Sequence, residues 1–493
     1  DSTSIEKICI KKEKNDSKSQ TKIKTSDIYD VKLEDVDVSD NNSYKKRLPI
    51  YPFKEEILEA IKSNRIIIIS GNTGCGKSTQ VPQYIYNSNN KNNILMTQPR
   101  RIAAVSIAKR LCEEMHLKLG HKIGFHVSMN PNFCKDTRIV VKTTGIFLEE
   151  LIHKNKEYSH IILDEVHERD IFVDLVISLI KSYYENNPDS KMKLILMSAT
   201  INEKSFAEYL NKVNENGKKI PIIRIKESLY KVKGFTLEYI FNNIKKDRII
   251  STKIKKEVEL NMYSALALEK STPIFMSELF PVVAAILEKI EIENKSNRRG
   301  VLIFVPGIGE IQELEDYLNK IFENRFEILI LHSQISDEEQ EKAFKIDEKK
   351  RRIILATNIA ESSITISNID FVIDFCLVKQ TKFDDNQNTS VLELKWCSKA
   401  SCQQRKGRTG RVNKGYYFQL ITKDLYSNLK EHQDPEILRT PLETPILKLK
   451  LYDEEKEPEI ILSKTMNPPS QEVILNTIFR LEKMGALTNV FYH

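Results

Sequence analysis

The chain is short of cysteine pairs, of long apolar runs and of any strong excess of one charge. Its seven cysteines stand at 9, 75, 112, 134, 376, 397 and 402, an odd number with no C-x-x-C pair. That pattern excludes a disulfide framework and the common zinc spacings, and fits free thiols in a reducing cytosol or nucleus. The nearest approach to a membrane span, "IFVDLVISLI" at 171–180, is too short and carries Asp174, so no transmembrane helix is expected. No apolar stretch near the start has the core of a signal peptide. A formal net charge of +7 over 493 residues permits a nucleic-acid partner without requiring one. Hydrophobic residues make up 40% of the chain, so sizeable cores can be buried, and the length allows roughly two to four domains.

What is present is organised in blocks. Residues 1–47 are rich in Lys, Asp, Ser, Asn and Thr and read as a charged arm, disordered or loosely docked. Pro49 and Pro52 then introduce a stretch in which Phe53, Ile57, Leu58 and Ile61 recur at helical spacing. From 48 to 220, "RIIIIS", "NILMTQ", "RIVVKT", "HIILDE" and "KLILMSAT" alternate with helical patterns such as "RIAAVSIAKRLCEEM". Continuous apolar runs of this kind suit strands buried on both faces of a parallel sheet, which predicts a doubly wound α/β domain. The pattern repeats over 221–424 in "GVLIFVPG", "FEILILHS", "RRIILATN", "NIDFVIDF" and "GYYFQLIT". Within that unit part of the Lys-rich segment 228–275 reads as strand leading into the sheet, and the rest is an excursion with no assigned place. The alternating residues of 378–398, around a polar tip, predict a protruding β-hairpin. Residues 425–493 turn to amphipathic helices with Pro-marked starts, a small helical module.

The chemistry is concentrated at Gly71-Asn72-Thr73-Gly74-Cys75-Gly76-Lys77-Ser78, followed by Thr79. It fits G-x-x-x-x-G-K-[ST] between a predicted strand and a predicted helix. Glycines let backbone N–H groups converge on phosphate oxygens, and the helix start adds its positive end. Lys77 would reach the β- and γ-phosphates, and the Ser78 hydroxyl suits Mg²⁺. A phosphate loop also needs an acidic partner at a neighbouring strand end. "HIILDEVHERD" offers Asp164 for the metal and Glu165 to orient and deprotonate the attacking water. "QQRKGRTGR" places Gln404, Arg405, Arg408 and Arg411 in the second unit, and Arg408 and Arg411 offer positive charge for the developing γ-phosphate. The two arginines sit three apart, as on one helical face, and are candidate arginine fingers delivered across a cleft.

"GNTGCGKSTQ", "TQPRRIAA", "TTG", "DEVHERD", "MSAT", "FVPG", "ATNIAESSITI" and "QRKGRTGR" occur in this order. Over residues 48–493 the chain resembles the DEAH-box RNA helicases of superfamily 2, with Asp164-Glu165-Val166-His167 as the box. The segments "VIDFCLVKQTKFDDNQNTSVLELKWCSKASCQQRKGR" and "PEILRTPLETPILKLKL" are similar to the Tudor-domain-containing germline helicases of the Spindle-E type. The resemblance implies two tandem RecA-like lobes followed by the start of a winged-helix-like module that would be truncated here. It implies ATP and Mg²⁺ as cofactors, with loose preference among NTPs because Arg110 and Phe344 match base-sandwiching positions. It implies single-stranded RNA gripped by its backbone, with Arg100, Arg101, Thr143 and Thr357 at contact positions, and 3′ to 5′ translocation. His167, Ser198 and Thr200 match positions that couple hydrolysis to lobe movement. The 378–398 hairpin is similar to the family's strand-separating hairpin. The resemblance further implies a cytoplasmic protein of perinuclear germ granules (nuage), with protein partners in the piRNA pathway. Val166, Thr144, Cys75 and Thr409 depart from common family residues, and none removes a catalytic charge. The motifs leave open an ATP-switched RNA clamp or assembly scaffold that does not unwind, and a DNA helicase.

Overall fold

The structure is a computed structural model that describes residues 45–487, except 73, 154–156, 200–202, 215–217, 226–229, 248–249, 269–272, 295–298, 324, 336–349, 362–365, 367, 385–388, 412 and 453–456. Thr73, Thr200, Phe344, the hairpin tip and most of the N-terminal arm therefore lie outside the described residues.

Two parallel sheets carry the fold. The first contains β1 (Ile66–Gly71), β2 (Ile94–Gln98), β3 (Ile123–Val127), β4 (Asn130–Asn132), β5 (Ile139–Thr143), β6 (His160–Leu163), β7 (Lys193–Ser198) and β8 (Ile222–Ile225). Their order is β4-β3-β5-β2-β6-β7-β1-β8. Only the short edge strand β4 runs antiparallel. Every residue of β1 and β2 is buried, because helices cover both faces of the sheet, and this explains their unbroken apolar runs. The second part of the chain supplies β9 (Val232–Phe235), β10 (Gly300–Phe304), β11 (Glu327–Leu331), β12 (Arg352–Ala356), β13 (Ile369–Asp374), β14 (Leu377–Asp384), β15 (Thr389–Trp396) and β16 (Gly415–Gln419). Six of these form a second parallel sheet, β11-β12-β10-β13-β16-β9, and β14 pairs antiparallel with β15 as a separate ribbon. The architecture is that of tandem RecA-like lobes.

The structure adds to the sequence expectations in four places. Strand β8 pairs with β1, so the first lobe runs past the expected boundary at 220/221. The Lys-rich segment 228–275 holds edge strand β9 and two helices, Leu237–Lys246 and Thr252–Leu268. Leu237, Ile240, Phe241, Ile244, Ile254 and Val258 bury into the core of the second lobe, so the segment is part of that lobe. The helical part after 425 packs directly on the first lobe. Ile437, Leu442, Ile446, Leu449, Ile461, Leu462, Ile474 and Leu481 share one core with Phe147, Leu148 and Val176 of the first lobe. Its described residues are helical or irregular. Finally, at the end of the expected arm, Lys45 Nζ donates to Gln83 Oε1 and to the Glu114 carbonyl, each at 2.9 Å.

Among the described residues no helix is long and apolar enough to cross a membrane.

Candidate functional site: a nucleotide cleft between two lobes

In a parallel sheet, ligands bind beyond the carboxyl ends of the strands. At the end of β1 the chain turns through the glycine loop into helix Lys77–Ser88. Gly74 and Gly76 have φ of +85° and +97°, a region where a side chain is strained. A Cβ on Gly76 would lie 3.0 Å from Ile50 Cγ2 and 3.1 Å from Leu48 Cδ1. The loop is therefore floored by the segment just after the arm, and Ile50 N–H donates to the Cys75 carbonyl at 3.1 Å. Cys75 itself is 2% exposed. Lys77 is buried, with Nζ donating to the Gly71 and Asn72 carbonyls at 2.5 and 3.3 Å. Those carbonyls hold the ammonium inside the loop. The Thr79 hydroxyl turns back to the Gly76 carbonyl at 3.4 Å.

Asp164 and Glu165 follow β6 directly. Asp164 is buried. Gln98, at the end of β2, donates to its Oδ2 at 2.6 Å, the Glu165 N–H donates to its Oδ1 at 2.9 Å, and the Ser78 hydroxyl also bonds it. Burial and the neighbouring Glu165 push the Asp164 carboxyl up to about 6, against the pull of Ser78, Lys77 and Gln98. Glu165 sits in the left-handed region at φ 54°, and burial raises its carboxyl as well.

His167 closes the same turn. Its Nδ1 lies 3.4 Å from Glu165 Oε2, a distance compatible with an ion pair. However, Nδ1 accepts the Ala199 N–H at 3.2 Å, and burial lowers the ring's pKa. The ring is therefore neutral with its proton on Nε2, and what it holds is the backbone after Ser198 at the end of β7. Ser198 itself is buried.

The second lobe contributes the arginines. Helix Lys399–Lys406 ends before them, and Gly410 takes φ +77°. Arg408 and Arg411 thus lie in a tight glycine turn, where the sequence spacing had suggested one helical face. Both are buried. A Cβ on Gly74 would lie 3.7 Å from Arg411 Nε, so this guanidinium crosses the cleft onto the phosphate loop. Burial, and for Arg408 its neighbour Arg411, push the two groups down to about 9 and about 10, while Glu165 pulls both upward. Both remain charged at neutral pH. Arg411 Nη2 is buried with no partner among the described residues. Arg408 donates to the Glu361 carbonyl. Gln404, on the helix before them, is 8% exposed.

The remaining predicted residues are dispersed. Arg100 reaches across the cleft, donating to the Ile359 carbonyl at 3.0 Å, with Glu168 Oε2 at 3.6 Å. Arg101 is exposed on the first turn of helix Arg101–Met115, and Thr143 is half-buried at the end of β5. Thr357 is buried at the end of β12. Arg110 lies on helix Arg101–Met115 and binds Glu114 Oε1 at 2.8 Å. Glu114 Oε2 in turn accepts from Gln80 and Gln83 of the phosphate-loop helix, each at 2.7 Å.

Sequence reasoning missed several supports. Gln98 and Glu361 lie inside the quoted "TQPRR" and "ATNIAES" runs, and a search for acceptors and donors beside the metal and arginine candidates would have raised them. Arg405 is a third. It is fully buried, 2.8 Å from Asp374 Oδ1 and 3.0 Å from Glu361 Oε2, and fixes the root of the arginine turn.

A glycine loop, an acidic pair with Asp164 buried and a pair of guanidinium groups from a second RecA-like lobe define a P-loop nucleotide site at a cleft. Residues 51–208 match the DEAD/DEAH box helicase family and residues 282–413 the helicase conserved C-terminal domain. The chain is 38% identical over 90% of its length to a probable ATP-dependent RNA helicase spindle-E of Aedes aegypti, covering 32% of that protein. It is 36% identical over 92% of its length to the ATP-dependent RNA helicase TDRD9 of Mus musculus, covering 33% of that protein. A probable spindle-E helicase of Drosophila sechellia is 37% identical over 96% of the chain and covered to 33%. The chain thus spans about a third of the length of these curated relatives. It belongs to the superfamily 2 helicases, in the Spindle-E/TDRD9 group.

Proposed function

We propose that this chain is the motor portion of an ATP-dependent RNA helicase. It would hydrolyse ATP in the cleft and move 3′ to 5′ along single-stranded RNA, remodelling RNA or its complexes in germline piRNA biogenesis and transposon silencing. The observation that carries the reading is Arg411 of the second lobe lying against Gly74 of the phosphate loop, 3.7 Å from the position its Cβ would take. A buried guanidinium without an anion is unfavourable, and the same group beside a phosphate is favourable.

The residues present fit the ligands. The amides of Gly74, Cys75 and Gly76, with Lys77, would cradle the β- and γ-phosphates, and Arg411 Nη2 has a free donor for them. The Ser78 hydroxyl and the Asp164 carboxylate are hard oxygen donors of the kind Mg²⁺ takes. Bound there, Mg²⁺ would neutralise charge on the phosphate oxygens. Glu165 would orient the attacking water and accept its proton, a task helped by the upward shift of its carboxyl. Arg408 and Arg411 would stabilise charge on the transferred group, with Gln404 beside them. Loss of phosphate leaves two guanidinium groups facing each other without their anion, which favours opening of the cleft. His167 would report that change to the Ser198–Ala199 backbone. Arg101, Thr143 and Thr357 would grip the RNA backbone without reading bases. Arg110 would stack on the nucleotide base from one side. Protein partners of the piRNA pathway and residence in perinuclear granules (nuage) belong to the same reading and rest on the resemblance to the Spindle-E type alone.

A strand-displacement assay on RNA duplexes with 3′ or 5′ tails tests it. ATP-dependent displacement of the 3′-tailed duplex alone is expected, with RNA stimulating ATP turnover more than DNA of equal length. ATP turnover without displacement would mark an RNA clamp, and equal stimulation by DNA would remove the RNA assignment.

A further inference from the structure

The hairpin belongs to the second lobe by sequence, yet it is tied to the first. Its root is fixed in the second lobe. The Cys397 N–H donates to the Cys376 carbonyl at 2.8 Å, and Arg405 reaches the Leu377 carbonyl at 3.3 Å. Further out, the ribbon is held by the segment 433–439. The Phe383 N–H donates to the Arg439 carbonyl at 2.9 Å. Arg439 Nη1 lies 3.5 Å from the Thr381 carbonyl, and Gln380 Nε2 donates to Gln433 Oε1 at 2.5 Å.

The same short segment is fastened to the box that holds Asp164 and Glu165. The Glu436 N–H donates to the Arg169 carbonyl at 3.0 Å. The Glu436 carboxylate accepts the Ile171 N–H at 3.0 Å. Ile437 is buried in the first-lobe core. Arg169 cannot yield easily. It sits at φ 50°, grips Asp174 through two bonds of 2.8 and 3.0 Å, and donates to Asn467 Oδ1 at 2.7 Å. Glu165 and Arg169, both left-handed, bracket one 3-10 turn, Val166–Glu168. A displacement of Glu165 or His167 is therefore carried to the Arg169 carbonyl with no flexible residue between.

We propose that segment 433–439 is a strut that sets the hairpin's position from the first lobe, with Glu436 as the positioning residue that anchors it. This rests on the nucleotide-driven opening proposed above. When the lobes separate, the hairpin's root travels with the second lobe while its middle stays with the first. The ribbon then pivots about Cys376 and Cys397, and opening of the cleft becomes a swing of the hairpin across the RNA path. Glu436 touches neither nucleotide nor RNA in this scheme and acts through the backbone of 169–171.

The test compares Glu436→Ala and Glu436→Gln with the parent chain. Glutamine keeps an oxygen acceptor for the Ile171 N–H, and alanine does not. Amide hydrogen exchange across 377–396 is measured without nucleotide and with ADP plus beryllium fluoride, alongside nucleotide affinity and strands displaced per ATP consumed. In the parent and in Glu436→Gln, exchange in β14 is expected to change with nucleotide. In Glu436→Ala that dependence is expected to vanish, and strands displaced per ATP to fall about 2- to 30-fold, with ATP affinity unchanged. Parent-like, nucleotide-dependent exchange in Glu436→Ala would overturn the strut alone. A parent chain that binds no nucleotide would overturn the motor reading on which the strut depends.

Discussion

At the scale of single residues, the acidic pair has a measurable signature. Asp164 titrates near 6 because burial and Glu165 disfavour its charge. Only the carboxylate can hold a divalent ion, so Mg²⁺-dependent nucleotide binding should weaken as pH falls through 6, by up to about tenfold per pH unit below it. Asp164→Asn should remove that dependence, and isothermal titration between pH 5 and 8 would read both. The sign for folding follows from the same shift. An acid whose folded pKa is raised favours the fold below that pKa, so the metal-free protein should lose stability as pH rises from the ordinary carboxylate range through 6. Glu165→Gln should keep ATP binding while turnover falls about 10²- to 10⁴-fold, and single-turnover hydrolysis would show it. The glycine loop and the acidic pair were legible in the sequence because each is local, a few consecutive residues with a required strand before them. Gln98 behind Asp164 and Glu114 behind Arg110 were not, since such supports are set by neighbouring strands and helices.

At the scale of elements, the arginine turn stands on a buried ion cluster. Arg405 joins Asp374 and Glu361, stacks 4.8 Å from the Phe304 ring centroid, and shares Asp374 with the Tyr417 hydroxyl at 2.8 Å. Arg405→Ala strips buried Asp374 and half-buried Glu361 of their counter-charge and should cost about 3–5 kcal/mol in denaturant unfolding. Arg405→Lys should recover little, because a point charge cannot satisfy the forked geometry. The C-terminal helices carry a second element-scale expectation. Ile446 is fully buried in the first-lobe core, so Ile446→Ala should cost about 2–5 kcal/mol and destabilise the lobe that holds the phosphate loop. Ten strands of the two sheets were readable from their apolar runs, and the ribbon β14–β15 from its alternation, whereas β3, β4 and β8 were not assigned. The docking of the C-terminal helices was not. An amphipathic pattern says that a face is buried and is silent about what covers it. The helices at 237–268 escaped notice because Lys and Asn on their outer faces mask the apolar spacing.

At the scale of the whole molecule, two lobes of similar topology are brought together so that each completes the other. The sequence showed the repeat of α/β units and the order of the motifs. It could not show that Arg411 crosses to Gly74 and that Arg100 crosses back to Ile359, because those contacts join residues hundreds of positions apart. These crossings make the cleft a single site, and one measurement addresses that most directly. RNA-stimulated ATP turnover should be compared between the parent chain and Arg411→Ala, with nucleotide affinity measured on the same samples. A site completed by the second lobe predicts affinity within a few-fold of the parent and turnover lowered by about 10³ or more. Turnover equal to the parent at saturating RNA and ATP would contradict it, and would mean that the first lobe hydrolyses ATP alone.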